Sequence, residues 1–236
     1  AMVVLWLRLS MEESDQFKNS NRNNRQAGTL RLLAHYPKQV LTVVGMTLGG
    51  TISFYTYTTY LQQFMINTTG LSKKTAAMIN FVALLVMVVL QPLFGHLSDR
   101  IGRKPLLIFF GIGGTLCTVP LFTLMAGAST ALEALLLMIV GIVIVSGYTS
   151  INAIVKAELF PSEIRALGVG MPYGLTVALF GGTVNYIALW LRSIHLESAF
   201  FWYVSGAVFI SLLVYAFVLK PGSLIDEEMT ESTTTD

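Results

Sequence analysis

The chain has 236 residues, of which 54% are hydrophobic and 12% charged, about half the charged share of an ordinary soluble domain. That much apolar surface cannot be hidden in one water-soluble core of this size, and a formal net charge of +2 is too small to suggest a nucleic-acid partner. With one cysteine, Cys117, no disulfide framework is possible within the chain, and the thiol reads as a small core hydrophobe.

In chain order, residues 1–9 (Ala1-Met2-Val3-Val4-Leu5-Trp6-Leu7-Arg8-Leu9) read as the remnant of a preceding transmembrane helix. No basic n-region precedes them and no small-residue cleavage site follows, so a signal peptide is not expected. They also fall far short of the roughly 20 residues a span requires. The chain is therefore expected to start inside a helix whose first part is absent. Residues 10–38 are polar, with Asn, Gln and Arg, and read as a cytoplasmic linker with room for a short surface helix near Leu30–Leu33.

Six apolar stretches follow, near 39–66, 74–97, 104–127, 131–157, 166–191 and 198–219. Each is long enough to cross a core of about 30 Å at about 1.5 Å per helical residue. Lipid offers no partner for backbone polar groups and no alternating barrel pattern is visible, so each stretch is expected to be helical. The fold class is an all-α membrane protein, with residues 39–220 as a six-helix transmembrane half-domain. Residues 221–236 are acidic and Thr-rich and read as a disordered cytoplasmic tail.

Lys and Arg distribution predicts the topology. Arg8, Lys18, Arg22, Arg25, Arg31, Lys38, Arg100, Arg103, Lys104, Lys156, Arg165 and Lys220 fall on one side, and Lys73, Lys74 and Arg192 on the other. The richer side is expected to be cytoplasmic, which places both termini there.

Between spans two and three lies Gly95-His-Leu-Ser-Asp99-Arg100-Ile-Gly102-Arg103-Lys104. Its residues suit a gate: Gly95 lets a neighbouring backbone come close, and Asp99 can face a helix N-terminus or an arginine. Arg103 and Lys104 can pair with carboxylates or lipid phosphates. The competing reading is a basic loop that only anchors the topology. The segment resembles the G-x-L-x-D-R-x-G-R-K/R loop of the major facilitator superfamily. A second segment, Lys156-Ala-Glu158-Leu-Phe-Pro161-Ser-Glu-Ile-Arg165-Ala-Leu-Gly168-Val-Gly170, is similar to the turn between helices ten and eleven in its metabolite:proton symporter branch. Tyr55-Thr-Tyr57-Thr-Thr-Tyr60, Phe180-Gly-Gly182 and Ala199-Phe-Phe-Trp202-Tyr203 are similar to the alpha-ketoglutarate carriers of that branch.

The resemblance implies that the spans correspond to helices 7–12, the C-terminal half of a two-half transporter bundle. It further implies a bacterial inner-membrane carrier of a small carboxylate, alpha-ketoglutarate foremost, moved with protons by alternating access. Citrate, dicarboxylate, shikimate and proline/betaine carriers share the branch. The missing partner would be the N-terminal six-helix half, and the chain alone is expected not to transport. A homodimer is one alternative; a non-transporting scaffold or sensor is another.

In this fold, helices matching spans one and four line the central cavity. At 100° per residue, Ser53, Thr56, Tyr57 and Tyr60 share one face of span one, whereas Tyr55, Thr59 and Gln62 lie roughly opposite. The first stripe offers hydroxyls to a carboxylate, or bonds to neighbouring helices. In span four, Tyr148, Asn152 and Lys156 recur at four-residue spacing and share a face. Lys156 attracts an anionic substrate, or snorkels to lipid phosphates. Asn80 and Gln91 share a face of span two, with Met87 between. Gly45-x-x-x-Gly49 and Gly170-x-x-x-Gly174 suit close helix packing, and Pro92, Pro120 and Pro172 suit bending.

No Asp, Glu, Arg or His is expected deep inside a span; Glu133, Glu158, Glu163, Glu197, His35, His96 and His195 fall at ends or in loops. Proton coupling usually needs an ionisable group in the membrane, so the coupling residues are expected in the other half. No nucleotide loop, metal cluster or catalytic triad is visible, and no cofactor or enzymatic activity is expected.

Overall fold

In a computed structural model of the chain, residues 33, 35–162 and 164–219 are described. The expected helix remnant at 1–9, almost all of the linker at 10–38 and the tail at 221–236 lie outside the described residues.

Among the described residues, six helices are long and apolar enough to cross a membrane: α1 Pro37–Asn67, α2 Lys73–Ile101, α3 Arg103–Ala126, α4 Ala131–Ala157, α5 Arg165–Ser193 and α6 Glu197–Val218. Their limits agree with the apolar stretches to within a few residues because local chemistry marks both. Pro37 opens α1, where its missing N–H costs nothing. Ser72 caps α2 by accepting from the Thr75 N–H at 3.1 Å. Thr130 and Glu133 form a reciprocal capping box at the start of α4.

The segment read as a loop between spans two and three is mostly helix. Gly95 to Ile101 complete α2, and Gly102 alone, at φ +86°, separates it from α3. Such a backbone angle suits glycine because no Cβ opposes it.

The contacts arrange the helices as a row, α2–α4–α1–α5, backed by α3 and α6. Both backing helices pack on each other, α3 also on α4, and α6 also on α1. Lipid tails are as apolar as leucine, so packing and polar bonds rather than water exclusion hold such helices together. Gly49 brings the backbones of two helices close together: a Cβ there would lie 2.6 Å from Val208 Cα and 2.7 Å from the Ala207 carbonyl oxygen. The gap is sealed by Ser211, which accepts from the Gly49 N–H at 2.9 Å and donates to the Gly45 carbonyl at 2.6 Å. The second glycine pair behaves differently from expectation. Gly170 and Gly174 have no neighbour within 4 Å of an added Cβ, because they lie on the exposed side of α5 rather than in a helix contact.

Three helices carry one wider π-type turn each, at Thr56–Tyr60 in α1, Val177–Gly181 in α5 and Val214–Val218 in α6. Such turns break the regular hydrogen-bond ladder and are frequent at functional positions. The first lies within the Ser53–Tyr60 stripe.

Candidate functional site

A turn at Ser150 and Ile151 interrupts α4, yet the helix resumes so that Tyr148, Asn152 and Lys156 meet as their spacing predicts. Lys156 Nζ donates to Tyr148 Oη at 2.9 Å and to Asn152 Oδ1 at 3.1 Å. Helical side chains lean toward the helix N-terminus, and that lean carries the ammonium away from the α4–α5 turn and into the bundle. At 1% exposure, Lys156 does not snorkel.

On its remaining side the ammonium lies 4.2 Å from the centre of the Tyr173 ring of α5 and 5.2 Å from that of Tyr148. The negative ring face attracts a cation. Among the described residues, no carboxylate lies within ion-pair distance of Lys156. Its partners among the described residues are all neutral, in surroundings where an isolated charge is costly. The group that would best complete this arrangement is an anion. Sequence reasoning missed Tyr173, since it sits on another helix with no spacing relation to Lys156.

The stripe on α1 faces into this half-bundle. Ser53, Thr56, Tyr57 and Tyr60 are all buried, whereas Thr59 is exposed and Tyr55 and Gln62 are half-buried. Tyr57 Oη lies 3.1 Å from Thr118 Oγ1, whose own proton goes to the Gly114 carbonyl at 2.6 Å. Tyr60 donates to Glu197 Oε1 at 3.1 Å, and its ring packs on Phe122 and Phe200. The hydroxyls of Ser53 and Thr56 are enclosed without a hydrogen-bond partner. Periodicity grouped the four correctly, but a shared face does not reveal which neighbour it meets. On the opposite face, Gln62 Oε1 accepts from Asn80 Nδ2 at 2.9 Å, a bond between α1 and α2. Gln91 instead donates to the Met87 carbonyl of its own helix at 3.3 Å.

At the Gly102 end, Arg103 forms an ion pair with Glu158 beyond α4. Lys104 is half-buried and meets no carboxylate among the described residues. Its ammonium donates to the Ala216 carbonyl at 2.9 Å and the Leu219 carbonyl at 2.7 Å. The π turn at Val214–Val218 ends α6 there, and a lysine suits a helix C-terminus with carbonyls to satisfy. Asp99 and Arg100 are exposed and make no ion pair among the described residues. Gly95 is half-buried, with nothing within 4 Å of an added Cβ, so no backbone approaches it here. Among the described residues no cluster of His, Cys, Asp and Glu could hold a metal ion.

The sequence profile of the Major Facilitator Superfamily matches residues 1–181 and 42–230. This chain belongs to the major facilitator superfamily. Its six spans make this superfamily chain a multi-pass membrane protein. It is 40% identical over 222 residues to the alpha-ketoglutarate permease of Escherichia coli K12, covering 94% of this chain and 51% of the permease. It is 27% identical over 201 residues to the glycine betaine/proline/ectoine/pipecolic acid transporter OusA of Dickeya dadantii, covering 80% of this chain and 40% of that protein. The proline/betaine transporter of Escherichia coli K12 is 25% identical over 202 residues, with 80% and 40% covered. The chain thus spans about half the length, or less, of these curated relatives. No solved structure matches it.

Proposed function

We propose that this chain forms one half of an alternating-access carrier for a small carboxylate, with alpha-ketoglutarate the leading candidate, moved together with protons. It acts by transport rather than catalysis and pairs with an N-terminal six-helix half, the substrate binding between the two. The observation that carries this reading is the buried Lys156, held by neutral groups and lacking a carboxylate among the described residues. The 40% identity to a permease named for alpha-ketoglutarate supports the choice of substrate.

Lys156, with Tyr148 and Asn152, receives a substrate carboxylate. Ser53 and Thr56 bring hydroxyls that are otherwise unpartnered, and they reach the substrate when α1 bends at its π turn. Tyr57 and Tyr60 hold that turn against α3 and the start of α6. Gly95, Asp99, Arg100, Gly102, Arg103 and Lys104 form this half's share of a cytoplasmic gate. The excess of Lys and Arg on the Gly102 side supports a cytoplasmic placement of that end and of both termini, in a bacterial inner membrane.

The test is uptake of labelled alpha-ketoglutarate by cells lacking their own uptake system and expressing this chain with an N-terminal half. Entry is expected only with both halves present, and a protonophore is expected to abolish it. Lys156→Gln is expected to lower uptake at least about tenfold, equivalent to about 1.4 kcal/mol, and Lys156→Arg to retain part of it. Undiminished uptake by Lys156→Gln would overturn the assignment of Lys156. Uptake of betaine or proline instead of alpha-ketoglutarate would overturn the substrate.

A further inference from the structure

A second polar group lies at the opposite end of the bundle from Gly102. Glu197, the first residue of α6, accepts from Tyr60 Oη at 3.1 Å and from the Thr68 hydroxyl at 3.2 Å on either oxygen. Arg192 Nε, in the last turn of α5, lies 3.7 Å from Glu197 Oε1. The same guanidinium donates to the Asn67 carbonyl at 2.9 Å. The two sides of the α5–α6 turn therefore hold the end of α1 at Tyr60, Asn67 and Thr68. Between them His195 has φ +60°, a left-handed conformation uncommon outside glycine. His195, Arg192 and Glu197 line an open cavity of about 570 Å³, which gives water, and hence protons, access to the carboxylate.

The segment held in this way can move as a unit. Tyr60 is the last residue of the π turn Thr56–Tyr60, and Leu61–Asn67 follows as two turns of ordinary helix. A π turn is an identifiable bending point. The joint and its fastening thus meet at one residue, whose ring is buried while its hydroxyl reaches Glu197.

We propose that Glu197 is a proton-binding site that works as a clasp, holding Leu61–Asn67 against the α5–α6 turn when ionised and releasing it when protonated. Ionised, its two oxygens accept from Tyr60 and Thr68 and attract the Arg192 guanidinium at 3.7 Å. A proton on one oxygen removes the charge that attracts Arg192 and turns an acceptor into a donor facing donors. The closed arrangement then loses the charge-assisted contacts that hold it, and the open one gains population. Among the described residues, Tyr60 from α1 and Arg192 from α5 are the titratable and charged groups that contact the carboxylate, and His195 from the turn lines the same cavity. The experiment separates the contribution of the His195 imidazole from that of Glu197. The inference rests on the transport reading only in calling this end outward-facing, where an external proton would open the outer side; the clasp itself is tested without transport.

Spin labels at Asn67→Cys and Ser198→Cys, in a Cys117→Ser background, report the separation of the α1 end from α6 by electron–electron double resonance. The 236-residue chain is placed in lipid nanodiscs at about pH 8 and about pH 4, either side of a carboxylate titration. The separation is expected to lengthen at the lower pH. Glu197→Gln is expected to give the longer separation at both pH values, and His195→Gln to leave the response intact. Tyr60→Phe, which removes one donor, is expected to raise the open fraction at the higher pH, with helix content by circular dichroism showing each variant folded. A separation that ignores pH would overturn the proposal, as would a response that survives Glu197→Gln and disappears in His195→Gln. An intact response in a chain whose full transporter fails to carry alpha-ketoglutarate would count against the transport reading alone.

Discussion

Lys156 of α4 holds its ammonium 4.2 Å from the centre of the Tyr173 ring of α5, a contact that joins the two sides of the α4–α5 turn over a buried cation. Tyr148 Oη and Asn152 Oδ1 take the donors on the other side. The cation is thus placed by one helix and covered by the next.

The value of the ring face belongs to the pair and not to Tyr173 alone. Tyr173→Phe keeps the ring and is expected to change thermal stability little. Tyr173→Leu is expected to lose about 0.5–1 kcal/mol, since the ring is 39% exposed and only partly desolvated. In a Lys156→Met background the difference between Phe and Leu is expected to vanish, which a double-mutant cycle on melting in detergent measures. A difference that persists would make Tyr173 a packing residue only.

Arg103 and Glu158 join the α2–α3 turn to the end of α4. Their side chains are 38% and 25% exposed, so solvent screens the pair, and its coupling is expected to be only about 0.5–1 kcal/mol. Arg103→Glu and Glu158→Arg each place like charges together and are expected to lower the melting temperature. The double swap is expected to recover most of the loss at low salt and to differ little from the singles at high salt.

Lys104 acts over a longer sequence distance, as its ammonium closes the last turn of α6 through the Ala216 and Leu219 carbonyls. Lys104→Met leaves those carbonyls without their charged donor, a loss of about 1.5–3 kcal/mol for such bonds when desolvated. Hydrogen exchange of the amides at 214–219 is therefore expected to quicken while that of α1 stays unchanged. Equal quickening in both helices would point to general destabilisation instead.

These contacts mark where a sequence stops being legible. Helix number and limits could be read because membrane thickness sets span length and caps punctuate the ends. The meeting of Tyr148, Asn152 and Lys156 was legible because four-residue spacing makes neighbours on any helix. The partners of Tyr60 and Lys104 were not, since Glu197 is 137 residues from the first and Ala216 is 112 from the second. Nor could periodicity tell that the stripe from Ser53 to Tyr60 would turn inward while Thr59 stayed exposed. Polar stripes look alike whether they meet a cavity or another helix, and only the helices packed on α1 decide between them.

The two glycine pairs give the sharpest contrast between equal sequence signals and unequal surroundings. A methyl group at Gly49 would meet Val208 Cα at 2.6 Å and the Ala207 carbonyl at 2.7 Å, and backbone cannot swing aside as a side chain can. Gly49→Ala is expected to force α1 from α6, to break the Gly49–Ser211 bond, and to cost about 1–3 kcal/mol as overpacking. Gly174→Ala meets nothing within 4 Å and replaces a weak helix former with a strong one, so it is expected to stabilise α5 by up to about 1 kcal/mol. Thermal melting of this chain by itself in detergent compares the two substitutions directly. Repeating Gly174→Ala with an N-terminal half present adds a second reading. Loss of the gain there would mean that the partner packs on this face of α5, where a glycine is needed for close approach.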